Sequence, residues 1–187
     1  MSSLPHYFIG IKLPEKLQTI FKEWQLQLSD EFFYKQWTHP QDLHITLKFL
    51  GPCHADIIDA YYHRLLAAEL VGSFVQGTEG LEGFGAFSCP RVLYVKAAPS
   101  HELSQLKRRI EEQGEALGFE REQREYLSHI TLGKKWGAQR QLDEQALARW
   151  NQKLIRPFTF DVSYIEIYRI HPRNQPKYES VHCIPLS

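Results

Sequence analysis

A chain of 187 residues, 43% hydrophobic and 13% aromatic, holds enough apolar material for a sizeable buried core, which excludes a disordered chain. Its 22 basic and 22 acidic residues cancel, which excludes a global field that would recruit long nucleic acid or an anionic membrane. Cys53, Cys89 and Cys183 have neither zinc-site spacing nor the density of a secreted disulfide framework, and the N-terminus lacks a basic, apolar leader, so a cytoplasmic protein without a membrane partner is expected.

In chain order, the first predicted element is a strand, Tyr7-Phe8-Ile9-Gly10-Ile11, followed by Pro14 near a helix start. Leu17, Ile20, Phe21, Trp24 and Leu28 then follow helical spacing. Next comes a strand that opens with His44-Ile45-Thr46-Leu47 and ends at Gly51-Pro52, and a second helical pattern through Ile57, Ile58, Tyr61 and Leu65. An extended segment runs from Phe74 through the glycine-rich stretch Gly77 to Gly85.

The order then repeats. Val92-Leu93-Tyr94-Val95-Lys96 reads as a strand, Pro99 precedes a helix, and Leu103, Leu106, Ile110 and Leu117 mark its apolar face. His129-Ile130-Thr131-Leu132 repeats the tetrapeptide 85 positions after the first copy. Nine histidines and six threonines placed at random would give roughly 0.3 His-x-Thr pairs, so two pairs sharing their other letters are not coincidence. Leu142, Ala146, Trp150 and Leu154 suggest the matching second helix, Phe158 to Ile170 is of strand composition, and Tyr178 to Ile184 closes the chain. The expectation is one domain over 1–187 made of two pseudo-symmetric lobes, with sequence repeats of about 1–86 and 87–171 and a closing strand over 178–186.

On a strand, residues i and i+2 share a face, so each copy presents an imidazole beside a hydroxyl. Two such pairs about one cleft supply a general base and a general acid from one residue type, which suits in-line displacement at phosphorus. Which histidine plays which part is not readable from the residues. Thr46 and Thr131 are placed to donate to the non-bridging oxygens. Lys48, two residues past Thr46, and Lys134 and Lys135, just past the second motif, are candidate phosphate holders, though lysines at strand ends are also commonly solvated. Asp42 is the one acidic residue that could join His44 in holding a metal, and that incomplete ligand set argues against a metal. Tyr7, Trp37, Phe49, Phe84 and Phe87 could stack a nucleobase or belong to the core. Lys107-Arg108-Arg109 reads as a solvated helix face with local ion pairs.

His44-x-Thr46-Leu-x-Phe49-Leu50-Gly51, paired with His129-x-Thr131-Leu, resembles the 2H phosphoesterases, and among them the RNA 2′,3′-cyclic phosphodiesterases historically called 2′-5′ RNA ligases. The opening Tyr7 to Pro14, the stretches Gly85-Ala86-Phe87 and Arg91 to Tyr94, and the closing Tyr178-Glu179 to Pro185-Leu186 share in the likeness. The resemblance implies an α+β, bilobal, pseudo-two-fold duplicated fold, with two antiparallel sheets lining a central cleft and helices outside. It implies cofactor-free and metal-free hydrolysis of an RNA terminal 2′,3′-cyclic phosphate to a 2′-phosphomonoester, with reverse 2′-5′ ligation as the same chemistry run backwards. His44 would be the proton donor, His129 the proton acceptor, and Thr46, Thr131 and Lys134 substrate-binding residues. Ser128 stands where many members have Pro, and Lys134 where they commonly have Arg. A monomer acting on RNA ends or oligonucleotides is expected. The alternatives are a non-catalytic RNA-end or nucleotide-binding module, and a phosphodiesterase acting on another 2′,5′-linked or cyclic nucleotide.

Overall fold

A computed structural model of the protein describes residues 4–137, 141–143, 145–154 and 157–187. Chain order is β1 (His6–Lys12), α1 (Glu15–Leu28), β2 (Tyr34–Trp37), a 3-10 turn (Pro40–Asp42), β3 (His44–Pro52), α2 (Ala55–Ala67) and β4 (Phe74–Phe84). It continues with β5 (Val92–Ala97), α3 (His101–Glu115), β6 (His129–Trp136), α4 (Ala146–Leu154), β7 (Thr159–Val162), β8 (Tyr164–Ile170) and β9 (Tyr178–Pro185). The strand and helix patterns recur where expected, with three differences. Strand β2 is too short and too polar at Lys35 and Gln36 to carry a period-two signal, and forms because β6 offers it an edge. Leu142 lies before α4 rather than on it, and Leu117 lies past the end of α3; both pack against the core from loops.

The strands follow one path, β7-β4-β5-β6-β3-β1-β8-β9, with β2 added on β6, and every pairing is antiparallel. Read from either end, the middle of this order is the same: β4-β5-β6 mirrors β8-β1-β3. Two antiparallel halves meet edge to edge at a seam where β3 touches β6 through one residue pair, Ile45 opposite Ile130. The sequence repeats and the spatial halves are different divisions, because β4 pairs with β5 and β8 pairs with β1. Each half borrows a strand from the other repeat.

Helix α1 lies on β6 and α3 on β3, so the helices cross over to the opposite half. Their buried stripes, Leu17, Phe21, Trp24 and Leu28 on one and Leu103, Leu106 and Ile110 on the other, cover the sheet face that carries Ile9, Ile11, Ile45, Leu47, Val95, Ile130 and Leu132. Alternation then sends the intervening histidines and threonines to the uncovered face.

Candidate active site

Two β-bulges shape that uncovered face. Gly10 pairs with Thr46 but Ile9 pairs with Lys48, which leaves Leu47 as an extra residue in β3. Tyr94 pairs with Thr131 and Leu93 with Gly133, which leaves Leu132 as the extra residue in β6. The last letter of each tetrapeptide is therefore a bulge, and each bulge reverses the alternation beyond it. In a regular strand Lys48 and Gly133 would follow the threonines on the cleft face; here Phe49 and Lys134 do so instead. Phe49 and Lys134 are exposed, whereas Lys48 is 5% exposed and turned inward.

Lys48 is thus not a cleft-face phosphate holder. Its ammonium pairs with Glu111 of α3 and donates to the Glu120 carbonyl at 2.8 Å. Lys107 completes this network, pairing with Glu111 and lying 5.5 Å from the centre of the Tyr126 ring. Tyr126 donates to the Thr46 carbonyl at 2.9 Å, which ties the segment before β6 to the first motif. Of the basic run, only Arg108 and Arg109, paired with Glu112, form the solvated face expected. Lys135 is exposed, with a positive φ of 61° just past the motif, and lines no compartment of the cleft.

The seam sets the motif residues against each other. With Ile45 opposite Ile130, antiparallel register puts His44 across from Thr131 and Thr46 across from His129, so the two imidazoles lie on a diagonal. Both rings are held alike. His44 Nδ1 donates to the Asp42 carbonyl at 2.6 Å and His129 Nδ1 to the Leu127 carbonyl at 2.8 Å. A carbonyl only accepts, so the proton sits on Nδ1 and Nε2 is the free basic nitrogen of both. Thr46 donates its hydroxyl to His44 Nε2 at 3.0 Å.

Aromatic rings surround both imidazoles. Phe8 lies 4.6 Å and Tyr178 5.2 Å from His44, while Phe84 and Tyr94 each lie 5.1 Å from His129. Gly10 is needed beside His44, because a Cβ there would sit 2.9 Å from the Ile45 carbonyl oxygen and 3.4 Å from the imidazole. Burial among these groups lowers the His44 pKa to about 4, with the carbonyl of Asp42 opposing and the charges of Lys134 and His129 adding to the shift. Burial lowers His129 as well, against its bond to Leu127 and with help from Lys134. Both imidazoles are therefore neutral at pH 7 in the free protein.

This has a consequence for stability. His44 in the unfolded chain takes up a proton near its ordinary value of 6.5, and in the folded chain only near 4. Above 6.5 neither state binds the proton and the stability is complete; as pH falls from there toward 4, the unfolded state gains the proton first and stability drops. Urea unfolding at steps between about pH 7 and pH 4 should show a steeper loss in the wild type than in His44→Gln.

Asp42, considered above as a metal ligand, is otherwise engaged. Its carboxylate accepts from the backbone N–H of Lys177 at 2.8 Å and 3.1 Å and from that of Tyr178 at 3.1 Å. It fastens the closing strand beside His44. Among the described residues no three His, Cys, Asp or Glu side chains gather as a metal would require.

Two compartments adjoin the seam. One compartment, about 950 Å³, includes Thr46, Phe49, Phe84, Arg91 and His129 in its lining. The other, about 340 Å³, is lined by Lys35, Trp37, His39, Asp42, Lys134, Lys177 and Tyr178, among others. Of the aromatics named from sequence, Phe49, Phe84 and Trp37 line these spaces, Tyr7 is core at 3% exposure, and Phe87 is exposed but outside both. Sequence reasoning assigned no role to Lys35, Arg91, Tyr126, Lys177 or Tyr178. Lys177 and Tyr178 lie more than 130 positions from the Asp42 they contact, and no local pattern marks them.

Paired His-x-Thr motifs at the centre of a duplicated antiparallel sheet define a 2H phosphoesterase. Residues 13–174 match the model of the 2′-5′ RNA ligase superfamily, and the chain belongs to that family. It is 29% identical over 183 residues to an RNA 2′,3′-cyclic phosphodiesterase of Geobacillus stearothermophilus; the match covers 97% of this chain but 57% of that protein's length. It is 28% identical to an RNA 2′,3′-cyclic phosphodiesterase of Bacillus subtilis strain 168, over 98% of this chain and 97% of that one. The fold is that of E. coli LigT crystallised with 3′-AMP, with a TM-score of 0.77 over 98% of this chain and 99% of that chain at 19% identity. A further crystal structure, of a phosphoesterase, aligns with a TM-score of 0.76 at 19% identity, over 98% and 99% of the two chains.

Proposed function

We propose that the protein hydrolyses the 2′,3′-cyclic phosphate at an RNA end to a 2′-phosphomonoester, using its two histidines and no metal. The observation that carries this reading is the matched pair of imidazoles, each with Nδ1 bound to a carbonyl and Nε2 left basic, set diagonally across the Ile45–Ile130 seam. The names of the relatives from Geobacillus stearothermophilus and Bacillus subtilis support the substrate.

In this mechanism His129 Nε2 removes a proton from water as the oxygen attacks phosphorus. The P–O3′ bond breaks, and protonated His44 gives its proton to the departing O3′. His44 must first be charged, and its pKa near 4 means that the free protein does not hold that proton at pH 7. An anionic phosphate against the ring favours the charged form and raises that value. Once formed, an imidazolium in so buried a place is a strong acid, which suits donation to an alkoxide. His129 takes the base role assigned by family resemblance. Thr131, Lys134 and, on turning from His44, Thr46 hold the phosphoryl oxygens where charge gathers. With a 5′-hydroxyl in place of water as the nucleophile, the same steps form a 2′-5′ linkage, the proton of that hydroxyl passing to His129 and O3′ leaving with the proton of His44.

The test is turnover of a short RNA ending in a 2′,3′-cyclic phosphate, with the position of the product phosphate determined and with EDTA present in one arm. The expected product is the 2′-phosphomonoester at equal rates in both arms. A 3′-phosphate, loss of activity in EDTA, or binding without turnover would each overturn the reading, the last in favour of an RNA-end binding module.

A further inference from the structure

The duplicated site is chemically lopsided at one pair of positions. Three residues past the motif threonines stand Phe49 in one half and Lys134 in the other, and the bulges at Leu47 and Leu132 turn both onto the cleft face. Each belongs to a different compartment. Phe49 faces the larger one with Phe84, where the glutamates of the lining are matched by basic residues, Lys48 and Lys107 pairing with Glu111 and Arg124 with Glu122. Lys134 faces the smaller one with Lys35 and Lys177.

In that smaller basin the charges are unbalanced. Among the described residues none of Lys35, Lys134 and Lys177 makes an ion pair. The single carboxylate in the lining, Asp42, already accepts three backbone hydrogen bonds and is 4% exposed. Lys134 and Lys177 line the same cavity, and partial burial, then the charge of Lys177, lower the Lys134 pKa. Clustered ammonium groups of this kind are a phosphate site in want of its anion.

Nucleotide stereochemistry matches the two compartments to two parts of one molecule. On a ribose 2′,3′-cyclic phosphate, the base leaves from C1′ on the C2′ side and the 5′ oxygen leaves through C4′ on the C3′ side. With the cyclic phosphate at the seam, base and O5′ leave the ribose in different directions, and two separate compartments are at hand to take them. The larger one, with Phe49 and Phe84 and with carboxylates to set against its cations, suits a base, and the lysine one a phosphate.

We propose that Lys35 and Lys177, which share a basin with the Lys134 that holds the reacting phosphate, bind the phosphate on O5′ of the same nucleotide, so that the preferred substrate is a 5′-phosphorylated unit, as in a chain, over an isolated nucleoside cyclic phosphate. This rests on the hydrolase reading above. The experiment measures kcat/KM for a nucleoside 2′,3′-cyclic phosphate with and without a 5′-phosphate, in the wild type and in the double variant Lys35→Gln, Lys177→Gln. Lys177 holds Asp42 through its backbone, so its side chain can be exchanged without touching the support of His44. The wild type should favour the 5′-phosphorylated substrate by roughly tenfold or more, as for hydrogen bonds to a charged group, and the ratio should fall near one in the double variant. A wild-type ratio near one, or a ratio that the variant keeps, overturns the proposal. Calorimetric binding of a nucleoside 3′,5′-bisphosphate against the 3′-monophosphate needs no turnover. If no cyclic phosphate is hydrolysed, the hydrolase reading fails; a bisphosphate preference that the double variant loses still supports the basin, and equal binding of the two overturns it.

Discussion

Alanine in place of His44, or in place of His129, should lower kcat/KM on cyclic-phosphate-ended RNA by roughly 10²–10⁴-fold, the usual worth of a positioned proton carrier. The two changes should not multiply. An acid and a base that serve one in-line displacement act as a unit, so the double variant should fall little further than the worse single one. The pH profile separates a proton carrier from a merely packed ring. Wild-type kcat/KM should be bell-shaped, and each single variant should lose one limb of the bell. Asparagine or glutamine at either position preserves more of the contacts with Phe8 and Tyr178 or with Phe84 and Tyr94, and should be as inactive as alanine if proton transfer is the role. Turnover near the wild-type rate in any of these variants would refute the assignment.

Glu111→Ala should be strongly destabilising, costing about 3–5 kcal/mol in urea unfolding. The side chains of Lys48 and Glu111 are 4% and 6% exposed, so removing the carboxylate strands a buried ammonium whose remaining partner is the Glu120 carbonyl. Lys107, 11% exposed, loses its partner in the same step. The sign with pH follows from the carboxyl itself. Burial opposes ionisation of Glu111, but hydrogen bonds and charge from Lys107 and Lys48 outweigh it and hold the group below its ordinary 4.5. Its contribution is therefore present above 4.5 and lost as pH falls through the lower native value. Replacing both partners, as Lys48→Met with Glu111→Leu, should recover most of the loss, because the desolvation of two charges disappears with their attraction. A single variant as stable as the wild type would show that water reaches the pair.

Lys48 shows where reading the strand from sequence stops working. Period-two alternation places it beside Thr46, and the argument is sound for a regular strand. A bulge depends on which partner residues the neighbouring strand offers, and Leu47 is as good a strand residue as any. The repeat held a hint, since the same Leu follows both threonines and the bulge recurs at Leu132. The slip is also visible in the outer strands: through their pairing with the motif strands, Phe8 matches Val92 and Gly10 matches Tyr94, 84 positions apart, although the motifs themselves are 85 apart. Sliding the chain by one fixed offset could not show this. The division into lobes meets a similar limit, because exchange of β4 and β8 between halves leaves no mark in local pattern.

What the sequence by itself determined is the family and the class of fold. Two histidines, each with a threonine on the same strand face, are covalent facts of spacing, and helix and strand periods are written in the apolar residues around them. Tertiary structure decided everything that depends on residues far apart in the chain meeting: the diagonal of His44 and His129 across one residue pair, the carbonyls that leave both Nε2 atoms basic, and the burial that draws both pKa values down. It also decided that Phe49 and Lys134, not Lys48, continue the cleft face, and that Lys35 and Lys177 share a cavity with Lys134. The physical reason is that periodicity reports which way a side chain points within its own element, whereas register, burial and electrostatic neighbours are set between elements, by partners the local sequence does not name.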